Sequence, residues 1–349
     1  MNLTWGTSLP DDFRNTGCLF LEQPWLKACA KHMQGELHVL SGDGVCIPFE
    51  LIDTRVRGIS TRVLRVLGDP MADQFFVTQA TGVSWSELME GLSRAPTCDM
   101  IVLSELQEMP PDQTASDRGC GKAGFAALWR QCGNAPVVVL NQGGKALEFS
   151  DYSSTLRNRL KRGRKKMTAA GDMQVAHYLP TPEEVDDLLA TLKSIEDDSW
   201  KGDEDTGLFR DDRLDFVRDI SEGLAAKGEL EIYIMSLDGT AISYRYGFRH
   251  EGRFLDYNLA YREAFSALSP GRILLDEIVK TSQVEGLEAV DASRGSMIRP
   301  HILADWPSDI RPHYRLTLYR PTIRGRLLHF LETRAKPLAQ KLRSRFSRS

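Results

Sequence analysis

At 349 residues, 42% hydrophobic and with a formal net charge of −4, the chain can bury a large core and suits two domains better than one. The acidic balance argues against a dedicated nucleic-acid binder. No run approaches the roughly 18 consecutive apolar residues of a membrane span, and the start MNLTWGTSLPDDF lacks the basic and apolar regions of a signal peptide, so a cytoplasmic location is the expectation.

Residues 1–150 alternate strand-like runs (HVLSG, VCIPFELI, DMIVLSEL, APVVVLN) with helical ones (PWLKACAKHM, WSELMEGLS, GFAALWRQC), which predicts an α/β architecture. A loop is expected over 110–124 and a turn at NQGG, 141–144. All six cysteines (Cys18, Cys29, Cys46, Cys98, Cys120, Cys132) fall in this region without a C-x-x-C pair or a histidine at ligand spacing. They read as reduced, mostly buried thiols, and no metal is expected.

From about 151 the composition changes. In RNRLKRGRKK (157–166) seven residues are Arg or Lys and none is acidic, while Leu156, Leu160 and Met167 form a thin apolar stripe at helical spacing. The run, with Arg159 inside it, reads in two ways. It could bind an anion such as a coenzyme phosphate, an acidic sugar polymer or a nucleotide-sugar lipid headgroup; or it is a solvated face paired with the acidic runs at 183–187 and 196–198. Trp200, after a run of acids, is expected to cover the domain junction or to stack on an acceptor.

Residues 229–293 read as strand, hairpin, strand, turn, strand, loop, helix, strand. ELEIYIMSL meets a turn at Asp238-Gly239, AISYRYGFRH a second at Glu251-Gly252, and RFLDYNLAY follows. Strict alternation on that last strand puts Phe254, Asp256, Asn258 and Ala260 on one face and Leu255, Tyr257 and Leu259 on the other. Next, Leu268-Ser269-Pro270-Gly271-Arg272 opens the helical run that begins at Ile273. Ser269 reads as an N-cap, Pro270 suits the first turn, and Gly271 lets a ligand approach the backbone. Free N–H groups at such a helix start suit a phosphate, although the same pattern serves plain capping. Asp256 is a carboxylate within reach of acid–base work or a hydrogen-bonded strand residue; Tyr257 reads as core, with a role as acid or base the alternative. Asp291 and Arg294, at the end of the next strand, could position an acceptor or pair with each other. His250, His301 and His313 read as structural or surface residues.

Antiparallel strands leading into a phosphate-binding loop, a helix and a further strand resemble the acyl-CoA N-acyltransferase (GNAT) core. Residues 155–167, Trp200 ahead of Gly207-Leu208-Phe209, the Asp238-Gly239 hairpin, the 253–272 segment and Asp291 with Arg294-Gly295 are similar to the cellulose-biosynthesis (CelD-type) acetyltransferase-like group, relatives of the Fem-type aminoacyl transferases. FLEQPWLKA (20–28), IPFELI (47–52) and VLRVLGDPMADQFFV (63–77) extend the likeness into the first half. It departs at 296–300: where the family continues with acidic residues and a lysine, this chain has SMIRP.

The resemblance implies tandem GNAT-like α/β domains with mixed sheets. The divisions would be a degenerate domain over 1–150, an acyltransferase domain over 151–320 carrying the acyl-CoA site, and a basic amphipathic tail over 321–349. Acetyl-CoA would be the donor, held by Leu259, Ser269, Pro270, Gly271, Arg272 and Ile273. Asp256 and Tyr257 would be catalytic, with the strand's backbone N–H groups polarising the thioester. Asp291, Arg294, Trp200 and Arg159 would meet a small-molecule or saccharide acceptor, an amine or hydroxyl of a cell-envelope or exopolysaccharide compound. The alternatives are transfer of an amino acid from aminoacyl-tRNA and a non-catalytic subunit of a polysaccharide synthase. In the tail, 325–346 combines Leu327, Leu328, Leu331, Leu338, Leu342 and Phe346 with basic residues, as for a helix on an anionic membrane or for a carboxyl-terminal helix packed on its own domain.

Overall fold

The computed structural model describes residues 2–13, 15–110, 120–204 and 206–335. The chain divides into two units, residues 1–132 with 314–349 and residues 133–313, so 150 falls inside the second and 320 inside the first. Residues 111–119 of the expected loop and 336–346 of the tail lie outside the described residues.

The first unit contains β1 (Thr4–Gly6), α1 (Gln23–His32), β2 (Glu36–Gly42), β3 (Val45–Val56), β4 (Ile59–Val66), α2 (Val77–Thr81), α3 (Trp85–Ser93) and β5 (Met100–Leu106). The turns at Asp43-Gly44 and Arg57-Gly58 place both residues at positive φ (50° and 82°; 52° and 80°). This geometry matches the twist of the strands it joins, so β2, β3 and β4 form an antiparallel meander. A return to a parallel neighbour needs a crossover. Here α2 and α3 supply it, and β5 pairs with β4 only over Val63–Arg65 with Met100–Val102.

The segment GFAALWRQC, whose pattern predicts a helix, is instead the start of strand β6 (Ala126–Val139). A short apolar run does not distinguish the two by periodicity, and here it is continuous with the β-branched Val137, Val138 and Val139. The chain passes into the second unit within β6. A small hairpin, β7 (Asn141–Gln142) and β8 (Lys145–Ala146), turns at Gly143-Gly144 as expected.

The second unit continues with α4 (Ser154–Ala170), β9 (Met173–Tyr178), α5 (Val185–Asp197), α6 (Trp200–Asp203), α7 (Leu214–Ala225), β10 (Leu230–Leu237), β11 (Thr240–His250), β12 (Arg253–Tyr261), α8 (Pro270–Val284) and β13 (Ala289–Asp291). Both expected turns, Asp238-Gly239 and Glu251-Gly252, again have paired positive φ values. The meander is followed by a crossover helix and a parallel strand, and β13 meets β12 over three residues. Strand order in this unit is β6-β13-β12-β11-β10-β9. Leu156, Leu160 and Met167 of α4 and Ile273, Leu274 and Ile278 of α8 fill its core with Tyr233, Phe254 and Val290.

The first unit is completed by β14 (Asp309–Tyr319), antiparallel to β5 from Tyr314 onward, and by α9 (Ile323–Phe330). Its order is β1-β2-β3-β4-β5-β14. Each unit therefore holds the same succession of meander, crossover and parallel strand in an α/β mixed sheet. Among the described residues no helix is long and apolar enough to cross a membrane. The six cysteines are free thiols, five of them buried; burial pushes Cys18 and Cys46 up to about 12 and the half-buried Cys132 up to about 11.

Candidate active site

The site begins with one extra residue. On β11, Tyr246 and Gly247 are consecutive; on β12 their partners are Asn258 and Asp256, so Tyr257 bulges out of register. A side chain at Gly247 would not fit, since a Cβ there would lie 2.3 Å from Leu255 O. The bulge overturns the expected alternation, in which Asp256 and Asn258 share a face. Instead Asp256 meets Arg245 and His301, while Asn258 meets Glu196, Tyr244 and Lys201. The parallel pairing of β12 with β13 also ends at Leu255 with Asp291, one residue before Asp256. The two strands part at the carboxylate.

Arg245 and Asp256 are both buried and ion-paired, and Arg245 Nη2 also donates to Gly271 O at 3.0 Å in the first turn of α8. His301 Nδ1 accepts from Leu303 N at 3.2 Å, which leaves the proton of a neutral ring on Nε2, 3.7 Å from Asp256 Oδ2. Burial pushes the His301 pKa down. Two polar atoms here, Asp256 Oδ1 and Arg245 Nε, are buried without a hydrogen-bond partner. A protein seldom leaves such atoms bare, so the pair suits a polar guest.

Across the bulge, Glu196 accepts from Tyr244 Oη at 2.8 Å, Asn258 Nδ2 at 3.1 Å and Phe209 N at 2.7 Å, and faces Lys201 Nζ at 3.6 Å. Burial works to raise its pKa, but Lys201 and these donors outweigh it and hold Glu196 below the usual carboxylate range. Lys201 donates to Asn258 Oδ1, and burial lowers its pKa against the pull of Glu196. Glu196 and Lys201 line a cavity of about 360 Å³ with Asp197, Arg210, Asp211 and Asp212.

The α8 start is uncapped. Ser269 precedes it as expected but in left-handed backbone (φ 58°), and its side chain makes no capping hydrogen bond. This corrects the expected side-chain cap: the left-handed turn follows the 3₁₀ segment Glu263–Leu268, and Ser269 contributes its carbonyl to Arg272 N and Ile273 N instead. No acidic residue lies in the first turn. A Cβ at Gly271 would meet only the Tyr261 ring, at 3.5 Å. Arg272 turns to Asp305, while Ile273 packs inward against α4, where a Cβ at Gly163 would lie 3.3 Å from its Cδ1.

That contact sets the basic helix beside the loop. Arg159 pairs with Asp305 at 3.2 Å, Arg164 with Asp276 at 2.6 Å, and Lys166 Nζ donates to Ala267 O at 3.3 Å. Among the described residues the ion pairs of α4 are thus with Asp276, Glu277 and Asp305, not with the acidic runs at 183–187 and 196–198. Lys161, Arg162 and Lys165 are exposed, with no ion pair among the described residues. An open helix start flanked by cations fits a pyrophosphate.

The remaining sequence-selected residues are spread around this centre. Trp200 packs on Tyr261, ring centroids 4.8 Å apart, and so lies near Gly271. Tyr257 is half-buried against Tyr246 and Phe248, and Leu259 lies opposite Arg245. Asp291 is fully buried, accepts from Ser293 N at 2.9 Å and faces Arg311 and Arg253 at 3.4 and 3.9 Å. Burial raises its pKa. Arg294 is exposed. Sequence reasoning missed Arg245, His301, Glu196 and Lys201 as site residues. Arg245 had a signal, because a cation amid the aromatic residues of SYRYGF is costly to bury without a dedicated partner.

The Acetyltransferase (GNAT) domain family model matches residues 154–300, which hold the bulge, the loop and α4. Among solved structures, FemX is similar with a TM-score of 0.56 at 11% identity, covering 92% of this chain and 96% of that one. The C-terminal DUF2156 domain of an Agrobacterium fabrum protein named for lysylphosphatidylglycerol synthetase has a TM-score of 0.51 at 12% identity, covering 90% and 93%. L-PGS from Bacillus licheniformis also has 0.51 at 12%, covering 88% and 90%. No curated protein matches the sequence. The fold is therefore α/β and GNAT-like, and the segment that matches the GNAT domain model lies within the second unit.

Proposed function

We propose that the chain is an acyltransferase that moves an acyl group, most simply acetyl from acetyl-CoA, to an amine or hydroxyl acceptor. The CelD-type likeness makes a cell-envelope or exopolysaccharide compound the acceptor of choice. The observation that carries this reading is the parting of β12 and β13 at Asp256 beside the uncapped start of α8. A coenzyme pyrophosphate would take the Gly271 N–H, the one that the first turn leaves after Pro270 and the Ser269 carbonyl, with α4 cations near it, and the thioester would lie along the parted strands. The backbone N–H of Tyr257, which the bulge takes out of the β11–β12 register, would polarise the thioester carbonyl. The acceptor must lose a proton as it attacks, and the bare lone pair of Asp256 Oδ1 can receive it, while Arg245 and His301 fix the carboxylate. The carbon–sulfur bond then breaks, and the coenzyme thiolate takes that proton from Asp256 and leaves as the thiol, without a covalent enzyme intermediate.

A second reading, transfer of an amino acid from aminoacyl-tRNA, draws on two points: FemX and the lysylphosphatidylglycerol synthetases share the fold, and Lys161, Arg162 and Lys165 offer unpaired cations to a phosphate backbone. Calorimetry with acetyl-CoA, run beside an aminoacyl-tRNA transfer assay, separates the two. Saturable coenzyme binding with no aminoacyl transfer supports the first reading. Aminoacyl transfer without coenzyme binding supports the second, and neither result would leave a non-catalytic subunit.

A further inference from the structure

Helix α9 presents an apolar strip to solvent. Ile323 is 88% exposed, Leu327 44% and Phe330 56%, and their spacing of four and three residues stacks them on one side of the helix. The opposite side is fixed. Leu328 is buried against Val63, Met100 and Tyr319, and Gly325 sits so close to the chain beneath that a Cβ there would lie 2.3 Å from Arg320 O and 2.8 Å from Asp99 O. Thr322 caps the helix through Gly325 N at 2.9 Å and donates to Asp99 Oδ1 at 2.9 Å. The helix therefore cannot roll its apolar strip inward without losing its seat.

The charges around the strip select its partner. At about 100° per residue, exposed Arg324 and Arg326 fall on its two flanks. Arg334 continues along the same side, and 335–349 of the sequence adds five Lys or Arg and no acidic residue. A strip of Ile, Leu and Phe with an arginine on each flank, Arg324 still 55% exposed although it faces Asp99 at 3.8 Å, suits a bilayer interface, with rings and branches among the acyl chains and guanidinium groups at the phosphates. A protein groove would accept the apolar strip but would not call for cations along both edges and beyond. We infer that α9 docks the protein on the surface of an anionic phospholipid bilayer, through Ile323, Leu327 and Phe330 flanked by Arg324 and Arg326.

The test is flotation of the full chain with vesicles of equimolar phosphatidylcholine and phosphatidylglycerol, and with phosphatidylcholine alone. Wild type should float with the anionic vesicles and not with the neutral ones. The triple variant Ile323→Ser, Leu327→Ser, Phe330→Ser should lose about tenfold or more in partitioning, while Val284→Ser, which removes an equally exposed apolar residue from α8, should float like wild type. Thermal melting of both variants checks that they are folded. Sedimentation velocity without lipid checks for a second copy on the strip. Equal flotation of wild type and triple variant, no flotation of wild type, or a wild-type dimer that the triple variant dissolves would each overturn the proposal.

Discussion

The two units set the same kind of ion pair between the second and third strands of their meanders and use it differently. In the first, Glu50 on β3 faces Arg65 on β4, and every acceptor position is met: Oε1 takes Gln34 N and Gly35 N, each at 2.8 Å, and Oε2 takes Arg65 Nε and Nη2 at 2.9 and 2.6 Å. In the second, Arg245 on β11 faces Asp256 on β12, and Oδ1 of the acid and Nε of the base are left bare. Register explains part of this: β3 and β4 pair without interruption from Phe49 to Val56, whereas β12 carries the bulge at Tyr257. The crossover helices differ too. The start of α3 is closed by a capping box in which Ser84 and Glu87 satisfy each other's backbone, and the start of α8 has neither cap nor acid. A satisfied pair and a closed helix hold a fold together; a half-satisfied pair and an open helix are what a binding site requires.

The largest expected effect breaks the second pair. Arg245→Met leaves Asp256 as a buried, uncompensated carboxylate and should cost about 3–5 kcal/mol of stability by chemical denaturation; adding Asp256→Asn should restore part of it. A double variant no more stable than the single would mean that the two residues are not coupled. Next, Glu50→Gln should cost about 2 kcal/mol at pH 7. Burial tends to raise the pKa of Glu50, but Arg65 and the Gly35 and Gln34 N–H groups outweigh it and hold it below its usual 4.5. A depressed folded-state pKa stabilises above the unfolded value and loses that contribution as pH falls through the folded one. The gap between wild type and Glu50→Gln should therefore narrow below about pH 4.5; a constant gap down to acid unfolding would contradict it. Smaller still, Ser84→Ala opens the α3 cap and should cost about 1 kcal/mol with no change in coenzyme binding. A loss of binding in that variant would move the donor site to the wrong unit.

Much of this frame is legible in the sequence because it depends on local chemistry. Two X-Gly turns at 238–239 and 251–252 fix a meander, Pro270 fixes a helix start, and the stripe of Leu156, Leu160 and Met167 fixes the buried side of α4. What was hidden depends on partners far along the chain. A single inserted residue at Tyr257 is invisible to a period-2 reading, yet it sends Asp256 and Asn258 to different neighbours. His301 reaches Asp256 from 45 positions away (301 − 256), and Arg245 joins β11 to the α8 loop, pairings that no local pattern encodes. The first part of β6, 126–132, was hidden for the opposite reason, since its own composition suits a helix and only pairing decides.

The central claim is that the open start of α8 holds the donor, and one thermal-shift series tests it directly. Coenzyme A at a hundredfold over its dissociation constant should stabilise wild type by about 2.7 kcal/mol. Gly271→Glu sets its Cβ only against Tyr261, so it should fold, but its carboxylate occupies the phosphate position and the shift should vanish. Asp256→Asn should keep the shift while slowing transfer by about 10²–10⁴-fold. A wild type that coenzyme A does not stabilise, or a Gly271→Glu variant stabilised as much as wild type, would contradict the account.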